Sequence, residues 1–410
     1  MADKPTYPIR IKVIGVGGAG VNAISRMIQI GIPGVEFIAA NTDAQSLAGA
    51  EPCEHVQIGQ LLTKGLGAGG NSDTGFQAAI ESQNELRQRL SGAHMIFIAA
   101  GMGGGTGTGA APIVARIARD TQALTVAVVT RPFSFEGARR QGVADRGIER
   151  LREHVDTLIV VPNDRLLQLV SEHMTLDVAF RVADDVLRQA VQGIAELVTQ
   201  PGLINVDFAD LRVIMADGGN ALMSIGQGRG ADRVADAVNA ALRCPLISLQ
   251  SIEGATGILV NVLGSDDLSL TEIGQAAEII AANASPDANI KVGATIDPAM
   301  RGRVQVTLVA TGIGNPARQV IQVAGTSIAV NPSPARLPQP RITEPAAETV
   351  LTASETAEAA PGPQESPTQV GFKSQEWPSY SSRLDAGNRD IPAFLRRRMQ
   401  LAQSTDAAHS

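Results

Sequence analysis

Cysteine is nearly absent: Cys53 and Cys244 are the only two in 410 residues, without C-x-x-C spacing or clustered histidines. This argues against a disulfide framework and against a structural zinc. Aromatic residues make up 3% of the chain, with a single tryptophan, so few ring faces exist on which bases would stack. Excess positive charge is missing too. Lys and Arg number 34 against 41 Asp and Glu, a formal net charge of −7, and nucleic acid is not an expected partner. No apolar run approaches the ~20 residues that span a bilayer, and Met1-Ala2-Asp3-Lys4-Pro5 is not followed by the apolar core of a secretory leader. The expected setting is cytoplasmic.

What the chain has in quantity is glycine, 42 residues, within a composition that is 44% hydrophobic and so able to build a sizeable core. The densest glycine stretch, Gly101-Met102-Gly103-Gly104-Gly105-Thr106-Gly107-Thr108-Gly109, stands between the apolar run 95–100 and an amphipathic pattern at 110–118. Strand, glycine loop and helix in that order form a cradle for phosphate: backbone N–H groups converge, the two threonines supply hydroxyl donors, and the helix start adds partial positive charge. The loop lacks the lysine of G-x-x-x-x-G-K-[ST], so it is not a P-loop. A second unit of the same kind precedes it. Residues 9–16 read as a strand, followed by Gly17-Gly18-Ala19-Gly20-Val21-Asn22 and a helical pattern. Gly15, Gly17 and Gly20 satisfy G-x-G-x-x-G, which leaves a Rossmann dinucleotide site as a competitor, with Asn41-Thr42-Asp43 supplying its ribose-binding acid.

Strand patterns recur at 94–100, 124–129 and 157–161, with helical patterns around 75–90, 107–119 and 137–153. This alternation implies a parallel sheet covered on both faces, with ligands held beyond the carboxyl ends of its strands. Those ends carry residues 17–22, 41–43, 101–109, Thr130-Arg131-Pro132 and Pro162-Asn163-Asp164, which places both glycine loops on one rim. Residues 65–73, Gly-Leu-Gly-Ala-Gly-Gly-Asn-Ser-Asp, read either as a loop over the phosphates or as a flexible crossing.

Glu136 and Arg140 lie one helical turn apart. They suit a ribose acceptor and a donor fork near the phosphates, although a surface ion pair fits the spacing equally. The longest helical pattern, 175–200, stops at Pro201-Gly202. Phe180 and Asp184 share a face near its start: the ring suits stacking on guanine, and the carboxylate can accept from N1–H and the 2-amino group, with Asn163 adding a bond. Core packing and a solvated helix face are their alternatives. Asn205, Asp207 and Asp210 follow, readable as a capped turn or as groups that orient a water or help hold a cation. Roughly 35 Å of helix would separate Asp184 from Asp207. If they are catalytic, carboxylates so spaced act on a neighbour's nucleotide rather than their own, and such a head-to-tail contact repeats into a filament.

Residues 211–315 alternate again, with strand patterns at 211–215, 257–263, 290–296 and 304–310 and helical patterns at 232–242 and 270–282. From 316 to 384 the chain is rich in Pro, Ala, Glu, Thr and Ser, a composition that does not bury enough surface to fold. Apolar anchors and a basic run return in Asp390-Ile391-Pro392-Ala393-Phe394-Leu395-Arg396-Arg397-Arg398.

Taken together, Gly-Gly-Gly-Thr-Gly-Thr-Gly at 103–109, the segment Pro132-Phe133-Ser134-Phe135-Glu136-Gly137-Ala138-Arg139-Arg140, the long helix, the 205–210 loop and the terminal peptide resemble the FtsZ branch of the tubulin/FtsZ superfamily, in that order along the chain. The resemblance covers roughly 8–315 and the terminal peptide. It implies an α/β, tubulin-like fold: an N-terminal extension (1–8), a parallel-sheet GTP-binding domain (9–174), a long central helix (175–202), a smaller α/β domain (203–315), a disordered linker (316–384) and a partner-binding peptide (385–399). It also implies a GTPase that assembles head to tail into the division ring, binding GTP, GDP and Mg²⁺. Nucleotide contacts fall on Gly17, Gly18, Ala19, Gly20, Val21, Asn22, Ala68, Gly69, Gly70, Gly101, Gly103, Gly104, Gly105, Thr106, Gly107, Thr130, Pro132, Glu136, Arg140, Asn163, Phe180 and Asp184. Asp207 and Asp210 take the catalytic positions, supported by Asn205, and residues 390–395 dock to membrane-tethering division proteins. Ala19 departs from the glycine many relatives carry, and its methyl is expected to tighten the approach to phosphate. A GTP-binding scaffold without hydrolysis and an NAD(P)-dependent oxidoreductase are the alternatives.

Overall fold

Continuous apolar runs bounded by glycine loops become the central strands of one sheet. The computed structural model describes residues 9–166, 175–199, 204, 206–244 and 252–313. The amino-terminal part runs β1 (Ile11–Val16), α1 (Gly17–Ile30), β2 (Val35–Asn41), α2 (Ala44–Ala48), β3 (Glu54–Gln57), α3 (Gln60–Thr63), α4 (Ser72–Glu81), α5 (Gln83–Leu90), β4 (Met95–Gly101), α6 (Thr106–Asp120), β5 (Leu124–Arg131), α7 (Ala138–Arg152), β6 (Thr157–Pro162) and α8 (Asn163–Leu166). Then come α9 (Leu176–Thr199), α10 (Phe208–Met215), β7 (Gly219–Arg229), α11 (Arg233–Leu242), β8 (Gly257–Gly264), α12 (Leu270–Ala282), β9 (Asn289–Ile296) and β10 (Arg303–Thr311).

The ten strands form one sheet in the order β3-β2-β1-β4-β5-β6-β7-β10-β8-β9. Pairing from β3 through β7 is parallel. β10 runs antiparallel to β7 and β8, and β9 joins β8 in parallel. Side chains alternate across the pleat. Val13, Phe97 and Val126 therefore pack on one face against Ile24 and Met27 of α1 and Leu187, Val191 and Ile194 of α9. Ile14, Ile96 and Ile98 pack on the other against Ile113 and Ile117 of α6 and Leu86 of α5. A third cluster joins α11 and α12 to β8 and β10.

Two expectations are corrected. Residues 211–215 are not a strand but the end of helix α10, which starts with Asp207 at its N-cap position and Asp210 in its first turn. Leu211, Ile214 and Met215 are buried while Val213 is exposed, the i, i+3, i+4 signature of a helix face. The strand in this region is β7, eleven residues long, which the sequence reading missed. In addition, α9 ends at Thr199, so about 22 Å of helix, not ~35 Å, lies beyond Asp184.

Candidate functional site

β1 and β4 are neighbours, with Val16 opposite Ala100. From this pair the sheet extends through β2 and β3 on one side and through β5 and β6 on the other. The gap between β1 and β4 is thus the switch point at which open parallel sheets bind ligands. Two helices begin there directly from the strand ends. α1 has no side-chain cap bond at its N-cap residue Val16, and α6 has none at Gly105; neither has an acid in its first turn. The first bond closing α6 runs from Gly109 N–H to the Gly105 carbonyl, 3.0 Å. The N–H groups ahead of it point out of the helix end, where only an anion or water satisfies them.

Close packing explains the glycines. Gly17 has φ +73°, and a Cβ there would lie 2.8 Å from Gly107 N, so the two loops touch. A Cβ on Gly20 would run into the Ala99 carbonyl, whereas Gly18 faces open space. Val21 is buried in the core, leaving its backbone alone to meet a ligand, and Asn22 is exposed. The Ala19 methyl lies over Gly101, where a Cβ would come within 2.6 Å of it. The extra methyl is thus answered by a glycine on the neighbouring strand.

The threonines act first on the loop itself. Thr106 Oγ1 shares a buried hydrogen bond with Thr42 Oγ1 (2.7 Å), and Thr108 Oγ1 accepts from Gly103 N–H (2.8 Å). Segment 68–71 closes over the loop: a Cβ on Gly105 would lie 2.8 Å from the Ala68 Cβ and 3.0 Å from Asn71 N, while Gly69 and Gly70 face open space. Asn71 caps α4 by accepting from Asp73 N–H. On the other side Arg140 and Pro132 cover Gly103, whose Cβ would meet Arg140 Cγ at 2.8 Å and Pro132 Cγ at 3.2 Å. Glu136 pairs with Arg140 at 3.1 Å and accepts from Phe133 N–H at 2.8 Å. The i,i+4 ion pair and the placement beside the loop therefore coexist. Thr130 is buried, and its carbonyl accepts from Met102 N–H. Behind the loop a cavity of about 140 Å³ is lined by Ser72, Asp73, Thr108, Arg146 and Arg150; it is too small for a nucleotide.

Asn163 is buried at the end of β6, and its Oδ1 has no hydrogen-bond partner among the described residues. Such an orphaned acceptor calls for a ligand or water donor. Phe180 is 39% exposed and stands edge-on to Phe133 at 5.5 Å, while Phe133 stacks on Phe135 at 4.9 Å. Asp184 is buried and takes the Arg26 Nε at 3.2 Å. Burial pushes its carboxyl up to about 6, against the pull of Arg26. Asp43, the candidate acid of a Rossmann site, is committed elsewhere: it caps α2 by accepting from the N–H groups of Gln45 and Ser46.

The carboxylates expected to be catalytic lie elsewhere. Arg212 of α10 donates to the carbonyl of Gln122, just before β5, and Phe208 packs edge-on against His94, just before β4. α10 therefore sits at the amino ends of these strands, with the glycine loops at their carboxyl ends. The seven residues of β4 put roughly 23 Å between the two edges. Asp207 is exposed and makes no side-chain cap bond, and Asp210 pairs with Lys291 at 2.9 Å. Asn205 lies outside the described residues, as does the 390–395 peptide. Among the described residues no group of three or more His, Cys, Asp or Glu could hold a metal ion.

The sequence reading singled out neither Arg26 nor Lys291, and it quoted Phe133 only as part of a motif, with no role of its own. Arg26 follows Asn22 by four positions on α1, a spacing that marks it as facing the same way. Lys291 had no local signal, because its partner lies about 80 positions away in the chain.

Residues 10–171 match the family model described as Tubulin/FtsZ family, GTPase domain, and residues 219–314 match the one described as FtsZ family, C-terminal domain. The chain is 45% identical over 403 residues to a cell division protein FtsZ from Pseudomonas putida, covering 96% of this chain and 97% of that one. Among solved structures, an empty FtsZ dimer from M. jannaschii aligns with a TM-score of 0.73 at 46% identity, over 76% of this chain and 90% of that one. CetZ1 from Haloferax volcanii, a GDP-bound monomer, aligns with a TM-score of 0.65 at 22% identity over 75% and 95% of the two chains, a likeness of fold alone.

Proposed function

This chain belongs to the FtsZ branch of the tubulin/FtsZ family and is a GTP-hydrolysing, filament-forming protein of cell division; on that premise we propose that GTP on one subunit's rim is hydrolysed only when a second copy brings Asp207 and Asp210 against it. The phosphates rest on the paired N-termini of α1 and α6, contacting residues 17–22, Gly101 and residues 103–107, with Ala68, Gly69 and Gly70 closing over them. Glu136 and Arg140 hold the ribose side, with Thr130 and Pro132 shaping the floor. Phe180 stacks on guanine, Asp184 accepts its N1–H and 2-amino protons, and the free Oδ1 of Asn163 takes a further donor. The incoming Asp207 and Asp210, supported by Asn205, orient and polarise the attacking water. Mg²⁺, when bound, would neutralise charge on the phosphates held by the N–H groups of the two glycine loops.

The observation that carries this reading is the separation of the two halves: an uncapped anion site at the carboxyl edge of the sheet and exposed carboxylates at its amino edge. One subunit cannot close that gap, and a head-to-tail neighbour can. The same repeat builds the filament, which we assign to a ring at the division site, tethered to the membrane by partners that bind residues 390–395. No helix among the described residues is long and apolar enough to cross a membrane.

Phosphate release from GTP, measured against protein concentration, tests the reading with Asp210→Ala as control. The rate per subunit should rise sharply above a threshold and vanish in Asp210→Ala, which still binds GTP. A rate per subunit independent of concentration would place the whole active site within one chain and overturn it.

A further inference from the structure

Lysine is scarce in this chain: it occurs at 4, 12, 64, 291 and 373, within 34 basic residues that are otherwise arginine. Lys291 is thus the sole lysine in the long stretch between 64 and 373. It lies near the start of β9, the edge strand of the sheet, and its Nζ stands 2.9 Å from Asp210 Oδ1 in the first turn of α10. Both side chains are part-exposed, 35% and 43%, so the pair sits at the surface. Among the described residues neither has another ionic partner, and the nearby Asp207 makes no side-chain cap bond to α10.

We propose that Lys291 is a positioning residue for GTP hydrolysis, holding Asp210 in place and offsetting its charge as the amino edge of one subunit's sheet closes on the phosphates of the next. The inference rests on the reading above, in which Asp210 acts on a neighbour's nucleotide. Its physical basis is twofold. Two carboxylates approaching a polyphosphate meet like charge, and one ammonium on the approaching face removes part of that repulsion. A lysine also suits this role because its ammonium is a compact point charge on a flexible stem, able to keep contact while the carboxylate turns toward water. An arginine would lock the carboxylate in a planar fork. As an ordinary surface ion pair the contact stabilises the fold little, so its loss should leave the subunit folded.

The test uses the full chain as Lys291→Met and Lys291→Arg beside the unmodified protein, with phosphate release followed against concentration at low and high ionic strength. GTP affinity of dilute subunits should be unchanged in both, because each subunit's own nucleotide lies at its other edge. In Lys291→Met the threshold should rise at low ionic strength, with the difference shrinking as salt screens the repulsion. The rate per assembled subunit should fall by roughly ten- to a hundredfold, a hundredfold being the scale of a 1 Å misplacement of a reacting group. Lys291→Arg should recover the threshold more fully than the rate. A Lys291→Met chain with the unmodified threshold and rate would overturn the proposal. So would a loss that is insensitive to salt and accompanied by weaker GTP binding, since that reports a structural role. The curve of the unmodified chain decides the underlying reading separately: without a threshold there, the shared site itself fails, whatever Lys291 does.

Discussion

On the proposed reading Asp184 must be ionised to accept two hydrogen bonds from guanine, yet it is buried beside Arg26, and burial wins: its carboxyl is pushed up to about 6 from 3.8. The native chain therefore holds this proton more tightly than the unfolded chain does. Its ionisation costs stability, with no cost below about pH 4, the full cost above about pH 6, and a size of at most about 3 kcal/mol at ~1.4 kcal/mol per unit. Guanine bound as proposed would offset this with two charge-assisted hydrogen bonds to the ionised form. Preference for GTP over ATP should consequently be high at pH 7.5 and fade as pH drops through 6, as measured by competition binding. Asp184→Asn should lower GTP affinity by about 10- to 100-fold. Without nucleotide the same variant should be no less stable than the unmodified chain at pH 7.5 by denaturant unfolding. A large loss of stability there would mean that the Arg26 contact outweighs the desolvation. The acid and the aromatic were legible in the sequence because both sit on one face of a long helical pattern. Arg26 was not, because its role depends on how α1 lies against α9.

At the scale of elements, glycine has opposite meanings in two places. Gly226 on β7 backs onto α11, and a Cβ there would strike the Ala237 carbonyl. Gly274 sits exposed within α12 with nothing within 4 Å of a Cβ. Gly226→Ala should therefore destabilise by roughly 1–3 kcal/mol through overpacking, and Gly274→Ala should stabilise by about 0.5–1 kcal/mol through helix propensity. Denaturant midpoints of the two variants should move in opposite directions, and a shared direction would contradict the packing. The same glycines explain what the sequence concealed. β7 carries Gly219, Gly226 and Gly228, residues depleted in strands, so its strand character comes from pairing with β6 and β10 and from the close seat of α11. Residues 211–215 mislead in the other direction: the five-residue stretch Leu-Arg-Val-Ile-Met is short enough to suit either period, and Asp207 and Asp210 suggest chemistry as readily as the start of a helix. The strands leading into both glycine loops are plain, since β1 and β4 are buried almost throughout and show the unbroken apolar runs that burial on two faces requires.

At the scale of the whole molecule, the proposed reading puts a nucleotide edge and a carboxylate edge on opposite ends of one sheet, which would make each subunit half of two different active sites. Two defective chains should then repair each other. Asp210→Ala keeps an intact nucleotide edge but lacks the carboxylate to offer a neighbour. Asp184→Asn, at GTP concentrations too low to load it, carries no nucleotide but offers intact Asp207 and Asp210. Each alone should release little phosphate. Mixed in equal amounts, up to about a quarter of head-to-tail contacts would join an intact nucleotide edge to an intact carboxylate edge if incorporation is random. Phosphate release should reappear in the mixture, rise with total concentration, and approach that fraction of the unmodified rate. If each subunit carried its own complete site, the mixture would show only the sum of the two residual rates at every ratio. A recovered rate would instead tie hydrolysis to the contact between subunits, so that every turnover reports a joined pair and filament growth and nucleotide loss proceed from the same interface.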